Sequence, residues 1–473
     1  MGPAELSLQP WDPVSPQLAQ AHGNVFTTWV GPTPVVVLSG FWVVKEALVS
    51  NSEQFSGRPL TPLFRDVFGE RGVICSNGHT WRQQRRFCLA TLRELGLGKL
   101  ALELQLQGEA AELAEGFHQE QGRPFDPRVH IVTSTARVIG TLVFGCRFLL
   151  EDPFFQELIQ AIDFGLAFVS TIWCRLYDRF PWAFHRLPGP HQEMFRYQKA
   201  VRGYICREIS RHKLRTPEAP KEFISCYLAQ ITKATDDPVS TFNEENLIQV
   251  VVDLFLGGTD TTATTLCWAL IYVVQHGAIR GKGAMDRELL PYTRTVREVQ
   301  RLSRVVTTDA VRQCVTSTHV HGHPVPKAWQ LSSAHRVFSE LISAQHQGWV
   351  LGQLSSLSHT SSSLEGTIIL SNLASVLYDP ECWETPNNST LATSWTRMET
   401  SWASVCLGDQ LAWMELFLMF ATLLRTFWFQ LPEGSPGLRR EYVFGGTRQP
   451  RPQKICAVPH LNCPNPGPGE EGA

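Results

Sequence analysis

The spacing of apolar residues is helical over most of the middle of the chain. Between residues 82 and 276 these residues recur every three or four positions, which predicts a series of amphipathic helices. A proline-rich break at residues 180–190 interrupts the series. Ahead of it, Val25–Val30 and residues 35–38 flank a Gly-Pro turn and predict a β-hairpin, followed by a helix over residues 41–48. The pattern therefore predicts a mainly α fold with a small β-sheet region.

One predicted helix is longer and more apolar than the others. Thr241 and Glu244 have the spacing of a capping box, in which a threonine and a glutamate three residues later satisfy free amides at a helix start. From there apolar residues continue on most sides of the helix to about Val274. A helix of this kind is typical of the buried central element of a large α-rich fold.

Composition and charge exclude several classes of protein. The 473 residues are 43% hydrophobic with a formal net charge of -2, so the chain has a sizeable core and no field that would gather nucleic acid. Twelve cysteines occur without a Cys-x-x-Cys pair, which argues against a zinc cluster or a disulfide framework and favours a reducing compartment. Residues 1–24 show no signal peptide or anchor, and no later stretch has the roughly 18 apolar residues of a membrane span.

A glycine-rich segment, Gly257-Gly258-Thr259-Asp260-Thr261-Thr262, lies inside the long helix. Glycine in a helix interior costs roughly 1 kcal/mol relative to alanine, so the two glycines predict either close approach of a flat ligand or tight packing against another helix. Asp260 and Thr261 form an acid–alcohol pair that is suited to relay protons into a dry pocket. These residues alone leave function and packing both open.

Two further motifs follow along the chain. Glu298 and Arg301 lie three residues apart on one helix face and have the spacing of a bidentate ion pair, which in isolation is expected at a surface. Cys406 directly precedes an apolar helix, where free amides and the positive end of the helix dipole stabilise a thiolate. Gly408 allows a cofactor to lie against the backbone. Without further context, a cysteine such as Cys406 is structural.

The order of these motifs resembles the signature of the cytochrome P-450 superfamily, in which a glycine-rich Asp-Thr helix is followed by Glu-x-x-Arg and then by Cys-x-Gly opening an apolar helix. The sequence is most similar to the microsomal family that handles drugs and fatty acids. The resemblance covers most of the chain and includes residues 23–26, 34–38, 44–48, 78–82, 223–228, 367–386 and 408–432.

This resemblance implies a role for each motif. Cys406 would be the axial thiolate ligand of haem b, which would lie between the long helix and the cysteine loop, and a thiolate ligand favours O–O cleavage at the iron. Asp260 and Thr261 would supply protons on the opposite side of the haem. Trp81 and Arg85 would contact a haem propionate. The Glu-x-x-Arg pair would brace the fold behind the haem.

The resemblance also implies an activity and its partners. The enzyme would be a monooxygenase that oxidises lipophilic xenobiotics or fatty acids with molecular oxygen and electrons from NADPH, delivered by a flavin reductase, with cytochrome b5 as a second candidate donor. Arg82, Arg85 and Arg86 form a basic face that is a candidate docking site, although a solvated helix face has the same sequence. Five phenylalanines fall in segments that line the pocket of relatives and favour a lipophilic ligand, although each fits a plain core equally well: Phe64, Phe68, Phe164, Phe168 and Phe255.

The expected location follows from the same family. Relatives lie on the cytoplasmic face of the endoplasmic reticulum membrane, and this chain is expected there, with the cytoplasm as the alternative because no anchor is visible. Residues 180–187 mix aromatic side chains with cations, as segments at a membrane interface do, and they predict peripheral contact with a membrane surface. The alternative for this segment is a buried aromatic turn.

The family pattern is broken at several places. In the segment before the cysteine, the family's Phe, Gly and Arg positions hold Glu399, Trp402 and Ser404. Residues 328–365 look foreign to the family, and residues 387–405 are degenerate. Such breaks are typical of translated non-coding sequence in a decayed gene copy or an aberrant gene model. They leave a second hypothesis, a non-catalytic remnant that binds haem poorly or not at all.

The predicted organisation has three parts. Residues 1–24 are an N-terminal remnant without a membrane anchor. Residues 25–460 form a single cytochrome P-450-like domain that includes the insert and the degenerate loop. Residues 461–473 are rich in Pro, Gly and Glu and are predicted to be a disordered tail.

Overall fold

The computed structural model describes most of the chain, in several segments. The predicted insert (328–365), the degenerate loop (387–405) and the predicted tail (461–473) lie outside the described residues. The described residues are 16–30, 33–96, 100–149, 152–214, 221–275, 290–308, 310–327, 366–382, 406–435, 437 and 441–460.

The described elements are mostly helical, which confirms the predicted mainly α fold. The helices are α1 (Pro16–His22), α2 (Phe41–Lys45) with a π-helical turn (Glu46–Ser50), α3 (Pro62–Phe68), α4 (Gly78–Glu94), α5 (Leu100–Gln119), α6 (Pro127–Phe144), α7 (Pro153–Val169), α8 (Ile172–Arg179), α9 (Pro181–Phe184), α10 (His191–Leu214), α11 (Phe223–Lys233), α12 (Glu244–Gln275), α13 (Leu290–Ser303), α14 (Leu373–Leu377) and α15 (Asp409–Thr426). The strands are β1 (Val25–Val30), β2 (Thr33–Leu38), β3 (Arg312–Gln313), β4 (Thr318–Val320), β5 (His323–Val325), β6 (Ile368–Ser371), β7 (Phe427–Gln430), β8 (Tyr442–Gly445), β9 (Thr447–Pro450) and β10 (Cys456–Pro459).

The chain divides into two compact units, and the first, Met1–Pro59 with Thr307–Pro386, contains the larger sheet. Its four strands are ordered β1-β2-β6-β3. Strands β1 and β2 are antiparallel, which confirms the predicted hairpin, and β6 runs parallel to β2 with Val35 opposite Ile368. The predicted extent of one domain over residues 25–460 stays a prediction.

The second unit, Leu60–Val306 with Asn387–Ala473, contains the long helix α12. This helix packs against α6, α10, α13 and α15, and most of its side chains are buried. The prediction of a long buried central helix is therefore confirmed. Two small antiparallel sheets, β7 with β10 and β8 with β9, complete this unit among the described elements.

Side-chain caps explain where several helices begin. Asp126 and Asp152 accept hydrogen bonds from backbone N–H groups at the starts of α6 and α7, each just before a proline that fits the first helical turn. The predicted cap of α12 is wrong: Asn243 Oδ1 accepts the Asn246 N–H at 2.9 Å. Thr241 instead donates its hydroxyl to a glutamine side chain of α4. An asparagine nearer the helix therefore takes the position that the threonine was expected to fill.

The described helices differ in length and apolar character from what a membrane span needs. No single helix among them is both long and apolar enough to cross a bilayer, whereas α7 and α8 together meet that requirement with a bend of 72° between them.

Candidate active site

The two adjacent glycines of α12 have different surroundings. A Cβ atom added at Gly258 would lie 2.5 Å from Ile139 Cδ1, so this glycine allows α12 to pack closely against α6. A Cβ added at Gly257 would meet no atom within 4 Å, and Gly257 is the one exposed residue in the middle of a helix that is otherwise largely buried. Helix packing therefore explains Gly258, and only Gly257 borders a space where a flat ligand could lie.

Thr261 lies one turn after Gly257, on the same side of α12. Its hydroxyl donates to the Gly257 carbonyl at 2.7 Å, and the residue is only half-buried. This hydrogen bond fixes the orientation of the side chain at the open face of the helix. The hydroxyl oxygen can still accept a hydrogen bond from a bound molecule, because a hydroxyl group can donate and accept at the same time.

Asp260 is the neighbour of Thr261 in sequence, but its carboxylate is buried among other partners. It accepts hydrogen bonds from Thr447 Oγ1 at 2.6 Å and from Gln449 Nε2 at 2.8 Å, and Arg128 Nη2 lies 3.6 Å away. Burial raises the pKa of this carboxyl, while the Thr447 hydrogen bond and the Arg128 charge oppose the rise. The two residues of the predicted proton relay are therefore adjacent, but their polar atoms have different surroundings.

The partners of Asp260 could not be found in the sequence. Arg128 lies in α6 and binds Asp163 of α7 at 2.6 Å, while Thr447 and Gln449 lie in β9. Arg128, Thr447 and Gln449 are more than a hundred positions from Asp260, and no motif connects them to it. Only the packing of α6 and β9 against α12 brings them together.

Glu298 and Arg301 form the ion pair that their spacing predicts. The guanidinium donates twice to the carboxylate, with Nη2 to Oε1 at 2.6 Å and Nε to Oε2 at 2.9 Å. Arg301 is 2% exposed and Glu298 is 5% exposed, so the expectation of a surface pair is wrong. Burial makes the pair a structural element, because removing one partner would leave an uncompensated charge in the core.

Cys406 lies just before α15, as the sequence predicts. The residue as a whole is exposed, but its thiol is crowded enough that loss of hydration raises its pKa. A hydrogen bond from the Gly408 backbone and the positive charge of Arg85 oppose this rise because they stabilise the thiolate, whereas the negative charge of Asp409 adds to it. The structure therefore brings Cys406 and Arg85 of α4 close enough to interact.

The predicted propionate contacts, Trp81 and Arg85, lie together on α4. The Arg85 guanidinium is 5.8 Å from the centre of the Trp81 ring, and both residues are half-buried. The segment that holds Trp402 and Ser404 lies outside the described residues, so the effect of those departures stays a prediction.

One buried acid near the site was missed in the sequence. Glu415, on α15, is 1% exposed and lies beside the Thr262 hydroxyl of α12. Burial holds the pKa of its carboxyl well above the ordinary value, and the nearby Thr262 hydroxyl opposes this rise. Glu415 therefore lies between the helix after Cys406 and the glycine-rich segment of α12.

An apolar cavity of about 270 Å³ lies between α3, α7, α10 and α12. Phe64, Phe68 and Phe255 contribute to its wall, as expected. Phe164 and Phe168 do not line it; they stack on each other in an apolar cluster that also contains Tyr177 and Phe184. The expectation that all five phenylalanines line the pocket is therefore right for three of them.

These residues fit a haem with a cysteine ligand. A thiol at a helix start, an arginine and a tryptophan beside it, and a glycine that leaves an open face on the long helix are the groups that such a cofactor needs. Within the described segments, no cluster of three His, Cys, Asp or Glu residues could hold a bare metal ion. The fold and the site together define the class of haem-thiolate oxygenases.

Comparisons with known proteins agree with that class. The family model described as Cytochrome P-450 matches residues 12–333 and 403–457, and the chain belongs to the cytochrome P-450 family. It is 33% identical to human cytochrome P-450 2J2 over 467 residues, which cover 93% of this chain and 85% of the relative. It is also 33% identical to human cytochrome P-450 2D6 over 476 residues, covering 94% and 88%, and 31% identical to chicken cytochrome P-450 2H2 over 485 residues, covering 96% and 90%.

Membership of this family establishes the general type of reaction and the cofactor. The protein is a monooxygenase-type oxidoreductase that uses haem b with a cysteine thiolate ligand and takes electrons from NADPH through a reductase. The alternative of a non-catalytic remnant gains no support from these matches.

Proposed function

We propose that this chain is a haem-thiolate monooxygenase of lipophilic small molecules in which Cys406 is the iron ligand. The observation that carries the proposal is the position of the Cys406 thiol, at the start of α15 and within reach of the Arg85 charge. Both features act against the rise in pKa that burial and the nearby Asp409 charge give the thiol, and the thiolate is the form of cysteine that binds metal. The bound haem would supply the activation of molecular oxygen.

The residues of α12 would serve the other side of the cofactor. The Thr261 hydroxyl is fixed by the Gly257 carbonyl at the open face, where it would hold a hydrogen-bonded proton in position. Asp260 is held by Thr447, Gln449 and Arg128, so it would act on Thr261 only after its carboxylate leaves one of these partners. We therefore assign direct proton transfer to Thr261. Asp260 would take part only after its carboxylate has left one of its partners.

A surface formed by α8, α9 and the residues up to Leu187 would contact a membrane. Trp182 is 74% exposed and Ile172 is 61% exposed, and Phe180 and Leu187 are also exposed. Arg175, Arg179 and Arg186 are exposed around them. Large apolar side chains ringed by arginines suit a lipid interface, which supports peripheral contact with the cytoplasmic face of the endoplasmic reticulum. The alternative of a buried aromatic turn holds only for Phe184.

The basic side of α4 is the proposed docking site for the reductase. Arg82 and Arg86 are exposed on it, and Arg85, whose charge lowers the pKa of Cys406, lies on the same helix. A donor with an acidic surface would therefore be steered to the side of the molecule where the iron ligand lies. Cytochrome b5 would use the same surface.

The iron ligand is tested by the spectrum of the reduced protein with carbon monoxide. The purified full chain should show the absorption band of a thiolate-ligated haem, and Cys406→Ser should abolish that band. Cys206→Ser is the matched control, because Cys206 is also exposed but lies on α10. An unchanged band in the Cys406 variant would refute the assignment.

A further inference from the structure

Helix α3 forms one wall of the apolar cavity and is only about two turns long. Phe64 and Phe68 stack with their ring centres 5.7 Å apart, and both line the cavity together with Val67. An isolated helix of this length is not stable in water, because nucleating the first turn costs more free energy than its few hydrogen bonds gain. The position of this wall therefore depends on the neighbouring groups that hold α3 in place.

One such contact is at the start of α3. The Leu63 N–H donates to Asp178 Oδ1 at 2.9 Å, and the Phe64 N–H donates to Thr61 Oγ1 at 3.5 Å. Asp178 lies on α8 and is half-buried. The first turn of α3 therefore takes one of its caps from another helix, and this cap is lost if α3 and α8 separate.

A second contact lies three residues further along α3. The Tyr177 hydroxyl donates to Asp66 Oδ2 at 2.6 Å, and His185 Nε2 lies 3.2 Å from the same oxygen and 3.0 Å from the Tyr177 hydroxyl. Tyr177 belongs to α8, and His185 directly follows α9. Because Tyr177 is fully buried, its hydroxyl needs a partner inside the protein, and Asp66 provides it.

The side chains that make these two contacts do not line the cavity. Among the described residues of the cavity wall, α3 contributes Phe64, Val67 and Phe68, whereas both aspartates and Tyr177 lie outside that wall. A further contact, from Gln198 of α10 to the Val67 carbonyl, is made by a residue that lines the cavity itself. The two contacts with α8 therefore hold α3 from outside the cavity, where a ligand does not touch them.

We propose that Asp66 and Asp178 are positioning residues of the substrate cavity: they hold α3 against α8 and fix how far this wall stands from α12. The inference deepens the proposed function and rests on it, because it takes this cavity as the substrate site and names what limits the shape of its ligands. With both contacts in place a slender molecule fits between the walls, whereas a wider one has to displace α3. Loss of either contact lets α3 move outwards and admits the wider molecule.

The test is a pair of ligands that have the same number of carbon atoms and one hydroxyl group each but differ in width. Binding of decan-1-ol and cyclodecanol to the purified full chain is measured by isothermal titration calorimetry. The wild type should bind decan-1-ol more tightly. In Asp66→Ala the ratio of the two dissociation constants should shift about fivefold in favour of cyclodecanol, the equivalent of one hydrogen bond.

Three further variants assign the shift to the contact itself. Tyr177→Phe should produce the same shift, because it removes the hydroxyl group and leaves the aromatic ring in its apolar cluster. Asp66→Asn should keep most of the wild-type ratio, since the amide oxygen still accepts from Tyr177. The double variant Asp66→Ala, Tyr177→Phe should shift the ratio no further than either single variant, because both remove the same contact.

Arg65→Ala is the matched control on α3. Its side chain is 63% exposed, lies 3.8 Å from Glu70 at the surface and does not line the cavity, so the ratio should stay at the wild-type value. A wild-type ratio in Tyr177→Phe would overturn the inference, and so would an equal shift in Arg65→Ala. A failure of the oxygenase assignment would appear in the carbon monoxide spectrum and leave these ratios unchanged, so the two failures are distinguishable.

Discussion

Asp260 and Thr261 are neighbours on α12, but their side chains are held by different numbers of hydrogen bonds. The Asp260 carboxylate accepts three side-chain hydrogen bonds and lies beside an arginine, whereas the Thr261 hydroxyl makes one hydrogen bond to its own helix. Both types of residue could be predicted from the motif, because the motif specifies what chemistry is needed. Their surroundings could not, because Arg128 and Thr447 come from distant parts of the chain with no signal of their own.

Asp253, two turns before Asp260 on the same helix, is the acid whose titration should be visible in stability. Its carboxylate accepts the backbone N–H groups of Val73 at 2.6 Å and Ile74 at 3.0 Å, and it holds that loop against α12. Burial raises the pKa of Asp253 to about 6, against the opposing effect of these hydrogen bonds. An acid with a raised pKa binds more protons in the folded state, so its contribution to stability falls as the pH rises from about 4 through about 6.

We expect Asp253→Asn to remove this pH dependence. Relative to the variant, the wild-type free energy of unfolding should fall by about 2 kcal/mol between about pH 4.5 and pH 7.5. Urea denaturation at both pH values measures the difference. Asp236→Asn is the control, because Asp236 is an exposed acid and its removal should leave the pH profile of stability unchanged. Parallel profiles for wild type and Asp253→Asn would contradict the prediction.

At the scale of whole elements, α12 has to fill the core and also border a ligand, and its sequence does not show which residues meet which requirement. Its length and apolar character could be predicted from periodicity, since a buried helix must be apolar on most sides. The sequence could not show which glycine allows packing and which borders a ligand, because both have the same helix propensity. The two differ only in how close the side chains of α6 lie to them. The start of the helix was misplaced for a similar reason, as Thr241 is engaged by a glutamine of α4.

The adjacent glycines allow a matched test of this division. Gly258→Ala should destabilise the protein by about 1–3 kcal/mol, because the new methyl group overlaps the Ile139 side chain. Gly257→Ala should instead stabilise it by roughly 0.5–1 kcal/mol, since alanine is the better helix former and nothing obstructs its Cβ.

Chemical denaturation measures both effects, and haem content per chain gives a second readout. Gly257→Ala should lower the haem content despite its higher stability, because its methyl group enters the space of the flat ligand. Equal changes of stability in the two variants would show that the glycines do not differ. A Gly257 variant with full haem content would place the cofactor elsewhere.

For the molecule as a whole, family, cofactor class and the mainly α fold were predictable, because they depend on motif order and periodicity over hundreds of residues. The surface of α8 and α9 was predictable only in part. The sequence indicated residues 180–187, but the structure extends the exposed apolar surface back to Ile172, on the helix before them. Local composition does not show which face of a short amphipathic helix is left uncovered.

We expect this surface to bind lipid vesicles. In flotation with phosphatidylcholine–phosphatidylserine liposomes, the full chain should move with the lipid, and the double variant Ile172→Asp, Trp182→Asp should stay behind. Leu104→Asp is the control, because Leu104 is 57% exposed but lies on α5, away from this surface. A double variant that floats as well as wild type would refute the membrane contact.

The way β9 closes over Asp260 has a consequence for biosynthesis. Thr447 and Gln449 donate hydrogen bonds to the acid, and the Trp268 indole donates to the Arg448 carbonyl at 2.7 Å, so three successive residues of one strand contact the central helix. A ribosome makes that helix long before it makes the strand. Until β9 has been made, the growing chain lacks two of the groups that donate hydrogen bonds to Asp260, so the surroundings of this carboxylate can be completed only after the strand that follows α15 has been synthesised.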